Sequence, residues 1–125
     1  MPRILLVEDD FDTRYMLSLM LKNEGYEVIT AADGECALIV AAEEKPDLII
    51  TDVSMPRMNG VEFTRQMKSN QKTAEIPVLA ITSYGPATMR NAISAGATDC
   101  ARKPLEFDDF LMKVKCLLAS PGDIQ

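Results

Sequence analysis

Three short runs of consecutive apolar residues punctuate the chain: Ile4 to Val7, Leu48 to Ile50 with Thr51, and Val78 to Ile81 with Thr82. Apolar residues that do not alternate with polar ones predict strands buried on both faces, as in a parallel sheet covered by helices. Two weaker stretches, Glu27 to Ala31 and the segment around Cys100 to Arg102, complete a set of five. Between the runs, apolar residues recur at helical spacing. Met16, Leu17, Met20 and Leu21 mark a helix over Phe11 to Glu24 that stops at Gly25, a residue suited to a left-handed cap. Asp33 can cap a helix from Gly34 to Glu44, which ends before Lys45-Pro46, and Asn59 one from Gly60 or Val61 to about Ser69. A fourth helix runs from Pro86 to Ala95 and closes at Gly96, and a fifth, Glu106 to Leu118, would bury Phe110, Val114, Leu117 and Leu118.

Strand and helix alternating five times predict an α/β fold, an open, doubly wound five-stranded parallel sheet with right-handed crossovers and helices on both faces. The common order for such a sheet is 2-1-3-4-5, the flavodoxin-like arrangement, which puts ligands at the carboxyl ends of the strands beside the first and third. No linker, repeat or low-complexity segment interrupts the series. Residues 1–119 therefore read as one domain and Ser120 to Gln125 as a short polar tail.

Composition narrows the chemistry. With 13 basic and 19 acidic side chains, the net charge of −6 argues against direct contact with nucleic acid or an anionic membrane, both of which require clustered Lys and Arg. The chain has no histidine, which excludes Ser-His-Asp hydrolysis, histidine metal sites and a phosphohistidine of its own. Cys36, Cys100 and Cys116 are odd in number and lack CxxC spacing, which indicates neither a disulfide framework nor a zinc site and fits a reducing cytoplasm. The first apolar run is too short for a signal sequence, and no stretch approaches the ~18 apolar residues of a membrane span. A cytoplasmic protein with no membrane insertion is expected.

The carboxyl ends of the expected strands carry Glu8-Asp9-Asp10, Asp52, Thr82-Ser83 and Lys103-Pro104. Carboxylates gathered by adjacent strands repel one another, so such a site must bind a proton or a cation. All-oxygen ligands favour Mg²⁺, Mn²⁺ or Ca²⁺, and a small cluster with room for water suits Mg²⁺ best. A hydroxyl and an ammonium facing the same point complement the oxygens of a phosphoryl group. Taken singly, each residue has an ordinary explanation: a helix cap for Asp9 or Asp10, a turn for Asp52, strand propensity for Thr82, a solvated surface for Lys103. Four such coincidences at four strand ends are improbable together.

These residues lie in segments that resemble the receiver domains of two-component response regulators, especially single-domain members of the chemotaxis type. The matching pieces are ILLVEDD at the start, PDLIITDVSMPRMNGVEF around Asp52, IPVLAIT ending at Thr82 and AGATDCARKPLE containing Lys103. The resemblance spans essentially the whole chain, in the family's order and spacing. It implies that Asp52 accepts a phosphoryl group and that Glu8 and Asp9 hold Mg²⁺ with Asp52 and the Ser54 main-chain carbonyl. Thr82 corresponds to the switch hydroxyl and Lys103 to the lysine that pairs with the phosphoryl group. Pro56 and Gly60 match the turn after Asp52, and Lys103-Pro104 a peptide that is cis in the family. Ser83, Tyr84 and Cys100 occupy tuning positions; receivers usually carry Tyr or Phe where this chain has Cys100, and commonly Ala where it has Ser83.

The implied function is a signalling switch that catalyses only its own phosphorylation and dephosphorylation. Because the chain lacks histidine, its donor must be a histidine kinase, a histidine phosphotransfer domain or a small acyl phosphate. Its output would be contact with a downstream protein. Three other readings compete. A phosphohydrolase of the haloacid dehalogenase type needs a DxDx motif, and Asp52-Val53-Ser54 lacks the second acid. A flavodoxin-like cofactor binder needs glycines or hydroxyls after the first strand, where Glu8-Asp9-Asp10 would repel phosphate. The third is a docking module that is never phosphorylated.

Overall fold

The computed structural model describes residues 1–54, 58–83 and 85–119. Each apolar run forms a strand: β1 (Arg3–Val7), β2 (Glu27–Ala31), β3 (Leu48–Asp52), β4 (Val78–Thr82) and β5 (Asp99–Arg102). They alternate with α1 (Phe11–Asn23), α2 (Gly34–Glu44), α3 (Gly60–Ser69), α4 (Pro86–Ala95) and α5 (Phe107–Leu118). The strands are all parallel, in the order β2-β1-β3-β4-β5.

Successive side chains of a strand point to opposite faces, and here both faces are covered. Leu5, Val7, Ile49, Val78 and Ala80 meet Ala37 and Ala41 of α2, Phe63 and Met67 of α3 and Ala92 of α4. On the other face, Ile4, Leu6, Leu48, Ile50, Leu79 and Ile81 meet Leu17 and Leu21 of α1 and Phe110 and Val114 of α5. The three central strands therefore read as unbroken apolar runs. β2 and β5 stand at the sheet edges, keep exposed positions and give the weaker signals.

Local chemistry sets the helix ends. Asp10, Asp33 and Asn59 each accept from the backbone N–H three residues on, at 2.9, 2.8 and 2.9 Å. Glu106 caps α5 instead of opening it, accepting from Asp109 N at 2.9 Å, so the helix begins one residue later than its apolar spacing indicates. Leu117 and Leu118 are only half-buried, and Met16 is exposed on α1 while Ser18 is buried. Gly96 closes α4 with φ 117°. An added Cβ there would meet the stem of Lys68 at 2.5 Å. The Lys68 ammonium donates to the carbonyls of Ala74 and Ile76, fastening the end of α3 to the connection before β4.

The register Val7↔Thr51, Asp52↔Ile81 and Thr82↔Arg102 brings the carboxyl ends of β1, β3, β4 and β5 to one edge. Gly60 lets α3 begin directly against β3. Its N–H donates to the Val53 carbonyl at 2.8 Å, and a Cβ would fall 2.3 Å from the Asp52 carbonyl oxygen. Among the described residues no helix is long and apolar enough to cross a membrane.

Candidate functional site

Glu8 follows β1 and is 2% exposed, while Asp52 ends β3 and is 6% exposed. Asp9, beside Glu8, is exposed, and carboxylate oxygens of Glu8, Asp9 and Asp52 lie within 4.8 Å of one another. Lys103, just past β5, enters from the far side of the sheet edge. Its ammonium donates to Asp52 Oδ2 at 3.0 Å and to Glu8 Oε1 at 3.3 Å. The other Asp52 oxygen accepts from the Ser54 N–H at 3.2 Å, and Glu8 Oε2 accepts from the Asp10 N–H at 3.1 Å.

Among the described residues, one ammonium faces three carboxylates and does not balance them. Burial, reinforced by the charge of Asp52, pushes the Glu8 carboxyl up to about 7 against the Asp10 hydrogen bond and the Lys103 charge. Burial alone would lower the Lys103 ammonium, but its hydrogen bonds and charge pairing with Asp52 and Glu8 outweigh that and hold it above the usual lysine value. The cluster thus carries uncompensated negative charge at a point open to solvent through Asp9. An all-oxygen site of this kind fits a hard divalent cation that keeps part of its water shell.

The other expected residues fall around this cluster. Thr82 ends β4 fully buried, and its main-chain oxygen accepts from the Lys103 N–H at 2.8 Å, tying the two strand ends together. Ser54 and Ser83 are exposed at the same edge. The Lys103-Pro104 peptide is cis. Asp10 is not grouped with the cluster: its carboxylate caps α1, accepting from the Thr13 N–H and hydroxyl, and these bonds hold it below the usual aspartate value. Cys100 is 5% exposed in β5, and its thiol donates to the Met89 carbonyl of α4 at 3.6 Å. Burial, with the charge of Asp99, pushes that thiol up, away from reactivity. Pro56 and Tyr84 lie outside the described residues.

One participant escaped sequence reasoning: Arg14 of α1, which donates to the Glu8 main-chain oxygen at 2.8 Å. Lys103 was expected at the site, but not as a bridge between Asp52 and Glu8. The spacing of Arg14, four residues after the Asp10 cap, is compatible with that reach but does not single it out.

A family model, the response regulator receiver domain, matches residues 4–115. The chain belongs to this family. Such domains are phospho-accepting switches of two-component signalling. This receiver domain is 34% identical over 120 residues to Protein PilH of Pseudomonas aeruginosa, covering 95% of this chain and 99% of that one. It superimposes on the chemotaxis response regulator CheY4 of Vibrio cholerae with a TM-score of 0.88, at 35% identity over 94% of this chain and 99% of that one. The receiver domain of a Pseudomonas aeruginosa sensor histidine kinase matches with a TM-score of 0.88 and 28% identity, covering 95% of this chain and 98% of that one; its structure has a magnesium ion coordinated in the active site cleft. The chain spans about half the length of other curated relatives it matches.

Proposed function

We propose that residues 1–119 form a phosphorylation-activated switch, in which Asp52 accepts a phosphoryl group from a phosphohistidine of a histidine kinase or phosphotransfer protein. The observation that carries this reading is the placement of Asp52: nearly buried at the carboxyl end of β3, with one oxygen held by Lys103 and the other by the Ser54 amide. A carboxylate attacking phosphorus must approach an anionic group, so the barrier is mainly electrostatic and positional. Asp52 supplies the electron pair for the new O–P bond as the donor's N–P bond breaks, and the departing imidazole takes a proton from solvent. Lys103 moves from pairing two carboxylates to pairing the incoming phosphoryl oxygens. Glu8, Asp9, Asp52 and the Ser54 carbonyl would hold Mg²⁺, which when bound neutralises charge on the phosphoryl oxygens.

Thr82 then offers its hydroxyl to a phosphoryl oxygen, a contact made only in the modified state and therefore able to shift a two-state equilibrium. Ser54, exposed beside Asp52, would flank the phosphoryl group, and Ser83, exposed at the same edge, would tune the lifetime of the acyl phosphate, a role the resemblance also gives to Tyr84 and Cys100. Cys100 fills little of the space that an aromatic ring takes at that position in relatives, so the signal passes through the loop after Thr82. The output is contact with a downstream protein in the cytoplasm, with no direct grip on nucleic acid from this acidic domain. Incubation with acetyl phosphate and Mg²⁺ should add one phosphoryl group by intact mass, and Asp52→Asn should abolish the addition while the circular dichroism spectrum is kept. Undiminished labelling in Asp52→Asn would overturn the assignment.

A further inference from the structure

The Arg14 guanidinium connects the acidic site to an exposed aromatic stack, and the phosphoryl chemistry above makes no use of it. β1 ends at Val7, so the carbonyl of Glu8 lies one residue past the strand. Arg14 Nη1 donates to that oxygen at 2.8 Å. The helix dictates this reach. Arg14 stands in the first turn of α1, whose start is fixed by the Asp10 cap, and helical side chains lean toward the N-terminus. The guanidinium also lies 5.5 Å from the centre of the Phe11 ring, which stacks on Tyr15 at 6.2 Å with 5° between the planes. Phe11 is 66% and Tyr15 59% exposed, so these rings add little to the core. The Phe11 ring, backed by Tyr15, gives the planar guanidinium a wall that restricts its orientation.

The Glu8 carbonyl belongs to the peptide that joins the two acids beside Asp52. Rotation of that peptide would swing both the Glu8 and Asp9 carboxylates, whose oxygens lie within 4.8 Å of each other and of Asp52. We propose that Arg14 is a positioning residue for the cation-holding pair. It fixes the Glu8-Asp9 peptide, and the Phe11 and Tyr15 rings hold its guanidinium in place. This rests on the reading of the acidic cluster as a Mg²⁺ site.

Charge and position give opposite signs, which makes the role testable. Loss of a nearby positive charge would by itself tighten a divalent cation, whereas loss of ligand alignment weakens it. Mg²⁺ affinity is read from backbone amide shifts in an NMR titration of the full chain. Arg14→Met keeps the apolar stem but no donor, and should bind Mg²⁺ about five- to tenfold more weakly. Arg14→Lys, which keeps a cationic donor, should stay within about twofold of the unsubstituted protein. Unchanged or tighter binding in Arg14→Met would overturn the proposal, as would a fall in melting temperature without Mg²⁺ and no change in Mg²⁺ affinity. Should Arg14→Met not fold, Phe11→Ala carries the test: about twofold weaker binding supports the role and unchanged binding refutes it. No Mg²⁺ response in the unsubstituted protein would instead remove the reading on which the proposal rests, and the proposal with it.

Discussion

At about 7, the buried Glu8 carboxyl gives up its proton within the ordinary working range of pH. Because its folded value lies above the usual 4.5, the stability it contributes is fully present below about 4.5 and is lost as pH rises through about 7. Among the described residues, Asp52, Asp9 and Lys103 are the charged groups that lie against it, and Arg14 bonds its main-chain oxygen. In metal-free buffer the unfolding free energy should therefore fall by about 3 kcal/mol from this group between pH 5 and pH 8.5. Urea titrations at several pH values check this, with Glu8→Gln expected to lose most of the slope; an equal slope in that variant would place the titration elsewhere. Mg²⁺ should flatten the slope, since cation and proton compete for the same oxygens. Lys103→Met separates stability from transfer. It leaves two buried carboxylates without their ammonium, and metal-free stability should fall by about 2 kcal/mol. Mg²⁺ should restore much of that loss but leave labelling by acetyl phosphate about a hundredfold slower. Equal recovery of both would show that Lys103 serves the fold alone.

At the scale of elements, α3 is set against β3 by Gly60, where an added Cβ would sit 2.3 Å from the Asp52 carbonyl oxygen and 2.7 Å from the Val53 Cα. Backbone atoms cannot yield as a side-chain tip can, so Gly60→Ala should cost about 2–4 kcal/mol in urea unfolding. A cost below about 0.5 kcal/mol would mean that α3 can start elsewhere without penalty. The caps at Asp33 and Asn59 were legible because a cap is local chemistry, readable from four consecutive residues. Glu106 was misplaced by one residue because its acidic side chain serves equally as a helix residue or as a cap, and only the backbone decides. The edge strands β2 and β5 were faint because each has only one neighbour and keeps polar positions in solvent. Arg14 and Lys68 were not legible as clasps. Both bond carbonyls through side chains, and the choice of carbonyl depends on how the chain returns in space.

In the whole molecule, parallel strands in the order β2-β1-β3-β4-β5 carry acids, hydroxyls and lysine to one edge, while apolar residues cover both faces of the sheet. That convergence was legible because it needs only strand identity and the rule that function gathers at carboxyl ends. The dual bond of Lys103 was not, since spacing says nothing about which acid an ammonium chooses. We propose that this geometry makes Asp52 the phosphoryl acceptor. Borohydride reduces an acyl phosphate to a primary alcohol, converting a phosphorylated aspartate to homoserine that peptide mass spectrometry can locate. After treatment with acetyl phosphate and Mg²⁺, homoserine should be found at position 52 and at no other aspartate. Homoserine at a different aspartate, or none anywhere in a protein that binds Mg²⁺, would contradict the claim.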